Sequence, residues 1–138
     1  MKRTADLMNE LNNTDHIDQY LKENDKHLID QTVSQYLCNM LQEKGLSKAS
    51  VIKKSEINEI YGYQILSGKR TPSRNKLICI CICADFSLDE TNETLKVAGF
   101  SPLFPKTKRD SIIIFGIQNQ YPIWKINESL FEHQLQTL

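Results

Sequence analysis

Cys38, Cys79, Cys81 and Cys83, with His16, His27 and His133, are the side chains in this sequence best suited to nucleophilic or metal chemistry. Three of the cysteines crowd into five residues. If that stretch is helical, Cys79 and Cys83 share a face and Cys81 points roughly away from it. A closed metal site needs convergent Cys or His ligands at fixed spacing, and the histidines are scattered with no Cys-x-x-Cys to join them. Three thiols so close together cannot staple distant segments. The simplest reading is small apolar side chains in the core of a protein from a reducing compartment. No metal and no cofactor is expected. There is also no glycine-rich phosphate loop, no nucleophile elbow and no His-Glu-x-x-His, so the sequence does not read as an enzyme.

Charge is the second chemical signal. The 138 residues carry 17 basic and 17 acidic groups, for a net of zero. They are unevenly spread. Residues 1–43 hold four basic and eight acidic groups, residues 77–138 five and seven. Between them, residues 44–76 hold eight basic groups (Lys44, Lys48, Lys53, Lys54, Lys69, Arg70, Arg74, Lys76) and two acidic ones, a net of +6. A basic block inside a neutral chain is the footprint of a local polyanion contact; the plainer alternative is a solvated face.

The elements that must position this block read as helices. Residues 1–27 are polar and acidic, with Leu7, Met8, Leu11, Ile17, Tyr20 and Leu21 thinly placed and broken by Asn12-Asn13-Thr14-Asp15. They suggest an arm with an amphipathic turn or two. Val33, Tyr36, Leu37, Met40 and Leu41 make a helical stripe that Gly45 ends. Two short helices follow, at 48–55 behind Ser47 and at 58–67 before Gly68, the second carrying Ile57, Ile60, Tyr61 and Ile65. Ser73 then caps the run Leu77–Cys83, whose alternation also fits a buried strand; the cap and the flanking helices favour a buried helix. Ser87-Leu88-Asp89-Glu90 is a capping-box pattern opening a helix that ends at Gly99. Thr107 opens the apolar Ile112–Ile117, and Ile126, Leu130, Phe131, Leu135 and Leu138 mark a last helical segment.

One internal echo is visible. Asn92-Glu93-Thr94-Leu95 with Phe100 and Leu103 matches Asn127-Glu128-Ser129-Leu130 with Leu135 and Leu138 at identical spacing. Chance between two amphipathic helices is the reading carried forward, against a shared helix-plus-tail packing unit.

The residues from Gly45 onward carry a family resemblance. Gly45-Leu46-Ser47-Lys48, Val51, Lys54-Ser55, Ile57-Asn58, Tyr61, Ile65 and Ser67-Gly68-Lys69-Arg70-Thr71-Pro72-Ser73 resemble the helix-turn-helix of lambda-repressor/Cro-like regulators, the xenobiotic-response-element family. Leu77–Glu90 resembles that family's next helix, ending in Ser-Leu-Asp-Glu. The resemblance spans about residues 29–100. Three positions depart from it: Ile52 replaces the usual Ala, Glu56 a Gly, and Gly62 an Ile or Val. If Ile52 and Gly62 face each other, one large-small exchange conserves core volume.

The resemblance implies an all-α, lambda-repressor-like five-helix domain at 29–100, between an acidic N-terminal arm (1–28) and a C-terminal helical extension (101–138). It implies a recognition helix at about 58–67 in the major groove of double-stranded DNA, with Asn58, Glu59, Tyr63 and Gln64 at base edges. Lys48, Tyr61, Lys69, Arg70 and Arg74 would meet phosphates. The expected protein is a cytoplasmic transcriptional regulator acting as a homodimer, the C-terminal apolar helices being its candidate dimer surface. No apolar run is long enough for a membrane, and Asp6, Asn9 and Glu10 sit where a signal peptide would be apolar. The competing expectation is an interaction module that keeps the fold without specific DNA contacts and meets a protein through the arm or the C-terminal helices. The two differ in whether the basic block forms one face with Asn58 and Gln64.

Overall fold

The computed structural model describes residues 2–25 and 32–138; the expected boundary at 28/29 and His27 lie outside them. Among the described residues every regular element is a helix, nine in all, and none is long and apolar enough to cross a membrane. The chain divides into two compact units, Met1–Asp30 and Gln31–Leu138. In the first, α1 (Thr4–Asn13) and α2 (Ile17–Glu23) flank the break at Thr14. Tyr20 and Asn24 are buried, and Lys2 Nζ donates to Asn24 Oδ1 at 2.7 Å.

The second unit holds α3 (Val33–Glu43), α4 (Lys48–Ser55), α5 (Glu59–Ser67), α6 (Arg74–Cys83), α7 (Leu88–Val97), α8 (Lys108–Gln118) and α9 (Ile123–Glu132). Side-chain caps start most of them. The Oγ1 of Thr32 accepts from Gln35 N–H, and the Oγ of Ser87 from Glu90 N–H, each reciprocated by the glutamine or glutamate side chain in a capping box. The Leu77–Cys83 run is helical, not a strand. Packing of α4 on one side and α7 on another buries Leu77, Ile78, Cys79, Ile80, Cys81 and Ile82. A helix covered on several sides has no polar face, so its sequence shows no 3.6-residue period. Residues 101–138 share the same core through Leu103, Ile113, Ile126 and Leu130.

The internal echo is a shared packing unit, which corrects the expectation of chance. The hairpins α6–α7 and α8–α9 repeat each other's geometry at a constant offset. Asn92 Oδ1 accepts from Leu103 N–H at 2.9 Å, and Asn127 Oδ1 from Leu138 N–H at 2.7 Å. Arg74 Nε donates to Ser101 O, and Arg109 Nε to Gln136 O. The matching loop residues Asp85 and Gln120 both adopt positive φ, 56° and 57°. Contacts between the hairpins are reciprocal: α6 touches α9 while α7 touches α8. Arg74 reaches Asp110, and Arg109 reaches Asn75, the residue that corresponds to Asp110 in the first hairpin. Such exchange of equivalent contacts is the signature of a two-fold relation.

Candidate nucleic-acid interface

Two short helices and the turn between them build the site. Ser47 Oγ accepts from Ser50 N–H and starts α4. The helix ends at Glu56, which takes the left-handed conformation (φ 59°, ψ 14°). Glycine enters that region without the Cβ penalty that Glu56 carries there. Ser55 Oγ donates to Ile52 O at 2.7 Å, and Ile57 is buried beneath the turn. Asn58 Oδ1 accepts from Tyr61 N–H at 3.2 Å and caps α5. Gly68, at φ 85°, closes it.

Helix α5 leans on α4 through Gly62. A Cβ there would lie 2.8 Å from Ile52 Cγ2, so glycine is what lets the helices approach over the isoleucine. The buried face of α5 is Gly62, Ile65 and Leu66. Its opposite face carries Glu59, Ile60, Tyr63 and Gln64. Together with Lys48 and Lys69 these line a shallow depression of about 510 Å³. Five expected contact residues thus meet on one surface: Lys48, Glu59, Tyr63, Gln64 and Lys69.

The other four stand differently. Asn58 uses its side-chain oxygen as the helix cap. Tyr61 is half-buried, with the Arg70 guanidinium 5.8 Å from its ring centroid, so these two form a pair of their own. Arg74 is tied to the C-terminal hairpin. Its guanidinium donates to Asp110 at 3.1 Å and to the carbonyls of Ser101 and Pro102. Four contacts of its guanidinium are thus made within the protein, and Arg74 is not among the residues that line the depression. Lys44 likewise pairs with Glu90 at 3.0 Å. The basic block therefore divides: Lys48 and Lys69 line the depression with Gln64, Arg70 lies over the Tyr61 ring, Lys44 and Arg74 are engaged elsewhere, and Lys53, Lys54 and Lys76 are not among the lining residues.

Ile60, one of the apolar residues this helix carries, is 70% exposed and lies on this face. The signal was in the spacing. Ile60 lies five residues before buried Ile65, which turns it well away from the core at 100° per residue.

The cysteines belong to the core. Cys79 and Cys81 are buried and Cys38 and Cys83 half-buried, and among the described residues no three His, Cys, Asp or Glu side chains converge on a metal-sized site. Burial pushes the Cys81 and Cys83 thiols up to about 12 and raises Cys79 as well, so at neutral pH they are protonated.

No protein-family model, no curated protein and no solved structure matches the chain.

Proposed function

We propose that this protein is a DNA-binding transcriptional regulator of the lambda-repressor-like kind, working in the cytoplasm as a homodimer, with α5 as its recognition helix. One observation supports this most: the short α4–α5 pair presents Glu59, Ile60, Tyr63 and Gln64 on an open face bordered by Lys48 and Lys69. In the major groove, Gln64 pairs with adenine, Glu59 accepts from cytosine and Ile60 packs on a thymine methyl. Lys48, Lys69 and Arg70 supply the phosphate contacts that hold the helix in register. Fluorescence anisotropy against duplexes from upstream of the gene and scrambled duplexes, across a salt series, tests it. Preferential binding that weakens steeply with salt supports the regulator. Equal, feeble binding to every duplex at low salt rejects it.

A second reading, a protein-interaction module that keeps the helix-turn-helix fold and meets its partner through the N-terminal arm, is favoured by the exposure of Met8, Leu11, Ile17 and Leu21 on α1 and α2. The same titration separates them, because a module of that kind gives no sequence preference.

A further inference from the structure

We propose that Lys106 and Lys108, in the turn that opens α8, make a second contact with the phosphate backbone of DNA, beside the one made around α5. This contact rests on the DNA-binding function proposed above and brings into it a stretch of chain that the family resemblance does not cover.

The repeat of the two hairpins places the turn. At the offset that relates Arg74 to Arg109, Lys106 and Lys108 take the places of Thr71 and Ser73, in the turn that leads from α5 into α6. The two turns lie side by side, because the starts of α6 and α8 are bonded in both directions. Arg74 donates to Asp110 at 3.1 Å, and Arg109 to Asn75 at 2.9 Å. Asp110 Oδ2 also accepts from Phe104 N–H at 2.9 Å, so one carboxylate fastens both turns. Ser111 Oγ donates to Pro105 O at 2.8 Å and fixes the second turn from the helix side. The first turn begins at Lys69, which lines the depression over α5. The second extends the edge that Lys69 begins.

Charge selects the partner. No acidic residue lies between Glu59 and Asp85, nor between Glu93 and Asp110, and each of these stretches holds four basic residues. Asp110 itself is buried and paired with Arg74. Arg109 is engaged as well, donating to Asn75 and to Gln136 O. Lys106 and Lys108 differ from both arginines: they are exposed, and among the described residues neither side chain has a hydrogen bond or ion pair. Two open ammonium groups on a turn held by its own bonds suit a polyanion, and they position it without reading sequence.

Anisotropy titrations of the full chain with upstream and scrambled duplexes, across a salt series, test the contact. Lys106→Ala and Lys108→Ala should each lower the slope of log affinity against log salt by about one, and together by about two. Both duplexes should weaken alike, with the melting temperature unchanged. Lys125→Ala, near the α8–α9 loop at the other end of the hairpin, is the control for lost charge and should leave the slope as it is. A preference for the upstream duplex with a slope that the double variant does not alter overturns this contact and leaves the reading by α5 standing. An equal fall of slope in the Lys125 control also overturns it. Salt-dependent binding without preference, weakened by the double variant, keeps the contact and rejects the reading by α5. Binding to no duplex at low salt rejects both.

Discussion

Gly62 and Ile52 form a small-large pair that sets the spacing between α4 and α5: a Cβ on residue 62 would come within 2.8 Å of Ile52 Cγ2 and 3.0 Å of Cγ1. Both residues depart from the family the sequence resembles, and they depart together. Ile52→Ala alone should cost about 2–4 kcal/mol by leaving a cavity. Gly62→Ala alone gains about 1 kcal/mol of helix propensity but forces the isoleucine aside at about 1–3 kcal/mol. Ile52→Ala/Gly62→Ala should be more stable than the two single effects summed, by about 1 kcal/mol or more. Urea denaturation of the four proteins measures the coupling, and strict additivity would contradict the pairing.

Glu56 holds a left-handed conformation without being glycine. Glu56→Gly should raise stability by about 0.5–1 kcal/mol, as relief of the Cβ strain outweighs the entropy that glycine adds to the unfolded chain. A thermal melt shows the effect as a higher Tm; a lower Tm would mean the turn is not strained at this residue.

Arg74 and Lys69 lie close in sequence and should behave oppositely. Arg74→Ala breaks the bond to Asp110 across two partly buried side chains and should cost about 1–2 kcal/mol of stability. Lys69→Ala should leave stability within about 0.5 kcal/mol and lower the salt slope of DNA binding by about one. A Lys69 variant that unfolds more easily, or an Arg74 variant of unchanged stability, would reverse these assignments.

Alkaline pH should destabilise the protein. Burial first, then nearby acidic groups, raises the Tyr36 phenol from 10.0 to about 12, and burial raises Cys81 and Cys83 from 9.0 to about 12. The folded state therefore keeps protons that the unfolded state releases above about pH 9. Stability is fully present below that pH and falls as pH rises towards the folded values. The urea midpoint should drop between about pH 8 and about pH 10.5, and a flat profile would contradict the burial of these groups.

Much of the fold could be read from local signals because those signals are local chemistry. Ser47, Ser73 and Ser87 cap the helices at which they were read, and Gly68 ends α5. The Ile52–Gly62 exchange was legible because both residues broke one pattern. Arg74 was not legible. Its partners lie 27 to 36 residues onward, and no periodicity reports a contact made by folding one hairpin against another. The echo at Asn92 and Asn127 was visible as spacing, but its meaning rests on where a carboxamide meets a backbone N–H eleven residues away.

If the outward face of α5 reads base sequence, Gln64→Ala removes the side chain that pairs with adenine. The measurement is the ratio of affinities for a preferred and a scrambled duplex, by anisotropy at fixed salt. Reading by Gln64 predicts that the ratio falls by about 1–3 kcal/mol equivalent while binding to the scrambled duplex is unchanged. A ratio identical to that of the unmodified protein would contradict it.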